Sequence, residues 1–136
     1  MTRYDLEHIK WLNDRINQKL ERIYLLKQRA LPSAIRYDKE KTSGATVFDP
    51  MAEIFAEIDE EERKVTKLID QLHREKVQAI KEIRKLESRR ERNILYLRYI
   101  ALLSWDEVER YVNVKDKCSR MTMFRLHNQA VDKLGG

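Results

Sequence analysis

The chain has little that bends or breaks a backbone. Its 136 residues include three glycines and two prolines. These residue types punctuate turns, hairpins and bulges, so their scarcity argues against a sheet-rich fold and for long helices. A single cysteine, Cys118, excludes an internal disulfide framework and suits a reducing compartment. No apolar run approaches the ~18 residues of a membrane span. The opening Met-Thr-Arg-Tyr-Asp-Leu-Glu has no signal-peptide form. The chain is therefore expected in the cytoplasm, away from the membrane. It has no glycine-rich phosphate loop and no nucleophile motif, so neither catalysis nor a cofactor is expected. Cys118 with His127 is too small a ligand set for a metal, and His8 and His73 fall on polar helix faces.

What the chain does have is charge. Charged residues make up 38% of it, the formal net charge is +5 and the pI is about 9.3. From Arg89 onward there are ten Lys/Arg against six Asp/Glu, so four of the five net charges lie in the last third. A basic excess of this size permits nucleic-acid binding without requiring it.

The apolar residues Ile9, Leu12, Ile16, Leu20, Ile23 and Leu26 recur in steps of three and four, which predicts one stripe of a helix from about Tyr4 to Ala30. Leu31-Pro32 is expected to end it. Residues 33–48 then form a connection, flexible around 39–46, with Ile35, Tyr37, Val47 and Phe48 pinning its ends. Asp49-Pro50 reads as a helix start, with Asp49 as cap and Pro50 in the first helical position. Met51, Ile58, Val65, Leu72, Ala79 and Leu86 follow in sevens, a coiled-coil spacing. Glu61, Glu75 and Glu82 occupy other core slots, which favours a looser antiparallel hairpin with the first helix over a tight coil. The acidic run at 59–62 reads as a solvated face.

The pattern changes near Ser88, which reads as a helix cap or a kink point. Residues 94–103 are apolar most of the way round, as in the central helix of a small core, and a helix over 89–102 is expected. Tyr96, Tyr99 and Trp105 fall at core spacing. Ser104 with Glu107 makes a capping box, and Trp105, Val108 and Val112 give the next helix its inner face. Asn113 is expected to close that helix in a left-handed conformation, and Lys115-Asp116-Lys117 to form a polar turn. Ser119 caps a last helix whose inner positions are Met123, Leu126, Ala130 or Val131, and Leu134. The fold expected is all-α: a helical hairpin over 1–87 and a helix-turn-helix domain over 88–136.

A helix-turn-helix presents the start of its second helix to the major groove. The outward candidates are Ser119, Arg120, Met121, Thr122, Phe124, Arg125 and Asn128. Arg matches guanine's acceptor pair, Thr and Met a thymine methyl, and Asn adenine. Phe124 falls off the inner stripe and suits either a DNA contact or packing between helices. Arg89, Arg90, Arg92, Lys115 and Lys117 are candidate phosphate contacts.

The run Arg89-Arg90-Glu91-Arg92-Asn93-Ile94-Leu95-Tyr96-Leu97-Arg98-Tyr99-Ile100, then Leu103-Ser104-Trp105-Asp106-Glu107-Val108, then Ser119-Arg120 and 124–134 resemble the RinA/ArpU-like phage transcriptional regulators. Their C-terminal part is similar to the fourth region of bacterial sigma factors. The resemblance covers about the last third of the chain. It implies a sequence-specific regulator, expected to activate phage or mobile-element genes in a bacterial host. Its implied partners are double-stranded DNA, RNA polymerase and a second copy joined through the N-terminal helices. It implies base contacts by Arg120, Met121, Phe124 and Arg125. The segment between Asn113 and Ser119 is longer than the family pattern, which adds a backbone-contacting role for Lys115 and Lys117. Two other readings fit a helical chain of this kind: a small-terminase-like packaging-initiation protein, and a helical adaptor that binds protein only.

Overall fold

The computed structural model describes the backbone of residues 1–40 and 50–135 and the side chains of 1–30 and 50–135. Every regular element among them is helical. These are α1 (Arg3–Glu40), α2 (Pro50–Ile83), α3 (Arg89–Leu95) continued by a π-helical turn (Tyr96–Ile100), α4 (Trp105–Lys115) and α5 (Arg120–Gly135). The protein is all-α.

The first helix does not stop at Leu31-Pro32 but runs on to Glu40. A proline inside a helix removes one backbone hydrogen bond and crowds the preceding turn. That is a cost, which the bonds on either side can outweigh, and not a prohibition. Pro50 opens α2 as its fixed φ predicts. The readings placed on 41–49, including Val47, Phe48 and the Asp49 cap, lie outside the described residues, as do those on the side chains of Ile35 and Tyr37.

The chain forms two compact units: Met1–Leu12 with Gln71–Gly136, and Asn13–Asp70. This differs from a division at residue 87, and the reason is burial. Leu6 and Ile9 of α1, with Ala79 and Ile83 at the end of α2 and Leu86 just after it, share one apolar cluster with Leu95, Tyr99, Ala130 and Val131. The outer turns of both long helices therefore complete the core of α3–α5.

In the smaller unit α1 and α2 run antiparallel. Lys19 Nζ meets Glu61 at 3.2 Å and Arg22 meets Glu57 at 2.6 Å, so later residues of α1 face earlier residues of α2. Ile16, Ile23, Leu26 and Ala30 are buried on one helix, and Ile58 and Val65 on the other. Leu20, counted in the stripe by spacing, is 47% exposed and lies on its flank. Glu61 is buried and so does not belong to a solvated acidic face. Lys19 answers its charge from across the seam and Lys64 from 3.6 Å along the same helix. The Lys19 hydrogen bond holds the Glu61 carboxyl below its ordinary range.

In the larger unit Glu75, another charged seam position, lies 2.6 Å from His8 Nδ1. Ser88 caps α3 by accepting the Glu91 N–H at 3.3 Å. Arg92 donates to the Leu86 and Glu87 carbonyls at 2.6 and 2.9 Å, tying α3 to the turn that follows α2. Glu91 is 3% exposed and receives Lys133 Nζ on both oxygens, at 2.9 and 3.0 Å. The helix expected to reach 102 ends earlier, in the π turn. The Ala101 N–H reaches back to the Tyr96 carbonyl at 2.9 Å, and the Leu103 N–H to that of Leu97 at 3.0 Å. Leu102 sits at φ 58, a left-handed conformation that costs a residue with a Cβ about 1–2 kcal/mol. The same turn points Tyr99 inward, 1% exposed, and leaves Tyr96 47% exposed, against its reading as a core residue. No helix among the described residues is long and apolar enough to cross a membrane.

Tyr99 anchors a buried polar cluster. Its hydroxyl lies 2.7 Å from His127 Nε2 and 3.2 Å from Glu7 Oε1. Burial, and then the Glu7 carboxylate, push the Tyr99 hydroxyl well up, so it keeps its proton. His127 Nδ1 lies 3.0 Å from Asn128 Oδ1, an arrangement that makes Nδ1 the donor. Burial holds the His127 pKa below its ordinary value. Asn128 and Glu7 pull the other way, and Arg3 and Arg98 act with burial. The unfolded chain therefore takes up a proton at this site before the folded one does. The stability contributed by neutral His127 is complete above the ordinary histidine pKa of about 6.5 and is lost as pH falls toward the depressed folded value. We expect the melting temperature of the wild type to fall between about pH 7 and pH 5 more steeply than that of His127→Gln. Equal slopes would sink this assignment.

Candidate nucleic-acid interface

The surface begins with how α4 and α5 are fixed to each other. The Ser104 hydroxyl accepts the Glu107 N–H at 3.3 Å and the Glu107 carboxylate accepts the Ser104 N–H at 3.4 Å, the reciprocal box read from Ser-x-x-Glu. Ile94, Val108 and Met123 are buried together between α3, α4 and α5. The Trp105 ring stands edge-on to Phe124 and to His127, each with centroids 4.8 Å apart. Arg98 lies 4.5 Å over the same indole and donates to the Leu103 carbonyl at 3.0 Å, tying the π turn to the start of α4.

The segment between the two helices is shorter than the sequence suggests. α4 continues through Asn113 to Lys115, leaving only 116–119 outside helix. Asn113 does not close the helix in a left-handed conformation. Its side-chain oxygen instead accepts the Cys118 N–H at 2.8 Å, so it folds the turn back from within α4. The residues that lengthen this segment are absorbed as helix. Ser119 then caps α5, its hydroxyl oxygen accepting the Thr122 N–H at 3.1 Å.

The predicted contact residues separate into two groups. Met121 is 82% exposed, and Arg125 and Asn128 are exposed four and seven residues further on, one outward stripe of α5. Ser119 lies exposed at the head of that helix, with Lys115 and Lys117 exposed beside the turn. The other group is engaged within the protein, as is the Asn128 amide oxygen, which accepts from His127 Nδ1 at 3.0 Å and from Arg3 at 3.1 Å. Phe124 packs against Trp105, the packing between helices that is one of its two readings. Thr122 is half-buried and accepts the Ser119 hydroxyl proton at 2.9 Å. Arg120 is bound by Asp106 at 2.7 Å and Glu109 at 3.0 Å, and lies 5.5 Å over the Phe124 ring. Its hydrogen bond holds the Asp106 carboxyl below the ordinary range. Arg92, read as a phosphate contact, is taken up by the Leu86 and Glu87 carbonyls between α2 and α3.

Three exposed neighbours lie outside the predicted set of contact residues. Arg3 donates to Asn128 Oδ1 at 3.1 Å, placing a cation from the start of the chain beside the α5 stripe. Tyr111 and Val114, 60% and 83% exposed, give α4 an apolar outer face. Spacing could have found the two α4 residues, since both fall off the 105–108–112 stripe. No local signal could have found Arg3, which lies 125 positions from its partner.

Charge follows the same division. The larger unit carries 17 Lys/Arg against 11 Asp/Glu and the smaller 11 against 12, net +6 and −1. The entire basic excess therefore belongs to the unit that carries this surface. Among the described residues no cluster of three or more His, Cys, Asp or Glu could hold a metal ion. No protein-family model, curated protein or solved structure matches the chain.

Proposed function

We propose that the larger unit binds double-stranded DNA and that α5 is the helix that reads it, through Met121, Arg125 and Asn128. The observation that carries this reading is the exposed outward stripe at the capped start of α5, borne by the unit that holds all of the chain's net positive charge. Arg125 offers paired donors to guanine, Asn128 an amide to adenine, and Met121 an apolar contact for a thymine methyl. Lys115, Lys117 and Arg3 supply phosphate contacts that set register. In this reading the protein is a regulator of the RinA/ArpU-like, sigma-like kind. It works in a bacterial cytoplasm, catalyses no reaction, and activates phage or mobile-element genes together with RNA polymerase. Paired copies would set two α5 helices on half-sites separated by whole turns of duplex.

Selection of bound duplexes from a random pool, run at two salt concentrations, tests this. A recurring site and a loss of affinity with salt are expected. Failure to retain any duplex at low salt would sink the proposal.

Arg120 supplies a second test. Its guanidinium is held by Asp106 and Glu109 in the free protein, and those carboxylates also repel phosphate. Asp106→Asn should raise duplex affinity a few-fold at low salt, with the gain fading as salt rises. An unchanged or lower affinity in a titration would place this edge of α4 away from the DNA backbone.

A further inference from the structure

The smaller unit carries an exposed apolar face on one flank of its helix pair. Leu20, Tyr24 and Lys27 are four and three residues apart and share one face of α1. Phe55, Glu62 and Ile69 are spaced by sevens and share one face of α2. Lys27 Nζ and Glu62 Oε1 lie 3.3 Å apart, and this bridge brings the two faces to the same side. The Arg22–Glu57 bridge lies on the other side. Arg22 and Lys27 are five residues apart, as are Glu57 and Glu62, a spacing that turns well round each helix. The buried stripe thus has one flank closed by charge and one that is apolar. On the apolar flank Leu20, Tyr24, Phe55 and Ile69 are 47%, 60%, 50% and 47% exposed.

We infer that this face is the seat of a second copy of the chain. Two half-exposed rings and two aliphatic side chains present on the order of 400 Å² of apolar surface. That is about the apolar share of a stable interface of ~800 Å² per partner, and it is within the size of the largest apolar patch of a typical protein, which is often a binding surface. The face also carries its own complement. Lys27 and Glu62 sit among the apolar residues, and a two-fold axis through the patch sets Lys27 of each copy against Glu62 of the other. The unit's net charge of −1 neither repels a like copy nor selects a strongly charged partner. The inference deepens the DNA-binding reading, since paired copies give paired α5 helices, but the pairing itself does not depend on it.

Sedimentation equilibrium of the full chain tests the pairing. The wild type should weigh twice its 16.4 kDa at micromolar concentration. Leu20→Glu with Phe55→Glu puts charge into the dry face and should raise the dimer dissociation constant about 100-fold or more. Both side chains are half-exposed, so helix content should stay unchanged. Arg22→Ala, on the opposite flank, should remain a dimer. A wild type that stays at 16.4 kDa throughout would overturn the inference, as would a double variant that still pairs or forms larger assemblies. Retention of random duplex at low salt, scored on the same proteins, separates the two proposals. A monomeric variant that still binds duplex supports both, and loss of duplex binding by every protein sinks the DNA reading while the masses stand.

Discussion

A fragment of residues 88–136, the domain that punctuation and patterning mark out, should not fold on its own. Those residues hold α3, α4 and α5, yet about half of the cluster beneath them comes from elsewhere. Leu6, Ile9, Ile83 and Leu86 are between 0% and 6% exposed and lie against Leu95, Tyr99, Ala130 and Val131. Fully burying a side chain of this size is worth about 1.5–3 kcal/mol, so removing four forfeits roughly 6–12 kcal/mol as an upper estimate. A whole domain has a net stability of about 5–15 kcal/mol. The cut also takes Glu7 from the Tyr99 hydroxyl and the Leu86 and Glu87 carbonyls from Arg92. The fragment should show weak helicity and no cooperative melt by circular dichroism. In the full chain, Leu6→Ala alone should cost about 2–5 kcal/mol. A cooperative transition of the fragment near the full-length midpoint would show that the outer turns of α1 and α2 are dispensable.

The difference between a division at residue 87 and the two compact units shows what kind of information local pattern carries. Periods of three, four and seven say which face of a helix is buried, and they located the seams of α1 and α2. They do not say what is buried against that face. Leu6 and Ile16 belong to one stripe by spacing, yet one completes the core of the larger unit and the other packs in the smaller. Caps were legible for the opposite reason, because the chemistry is short-range. Ser88, Ser104 and Ser119 each accept an N–H three residues on. Glu61 and Glu75 broke the apolar pattern as seam residues, and only the facing helix explains them, through Lys19 and His8.

At the candidate interface the same limit separates Arg120 from Arg125. Both are arginines near the start of α5, both follow a helix cap, and sequence gives them equal standing. Their difference is made by α4, whose Asp106 and Glu109 happen to face Arg120. His127 is the converse case. Spacing runs the inner stripe through Leu126 and leaves His127 out, yet His127 is 5% exposed because Tyr99 and Trp105 close around it. The inner face of α5 therefore runs Met123, His127, Ala130 and Val131.

That difference makes the most discriminating functional prediction a comparison of two alanine variants. Arg125 is exposed on the same stripe as Met121 and Asn128. If it reads a base edge, Arg125→Ala removes a bidentate contact and should weaken specific binding by about 1–3 kcal/mol, relaxing one base position while leaving the melting temperature alone. Arg120→Ala should do the reverse. It unties α4 from α5 and uncovers the Phe124 ring, so it should lower the melting temperature and weaken duplexes of all sequences alike, with site preference intact. The contrast holds because a base contact is spent on discrimination between sequences, whereas an intramolecular tie acts on every duplex equally. Titrations of both variants against the selected site and a scrambled duplex would resolve it. Should Arg125→Ala keep the wild-type preference for the selected site, the reading edge lies elsewhere on this surface, and the exposed Tyr111–Val114 face of α4 becomes the next place to look.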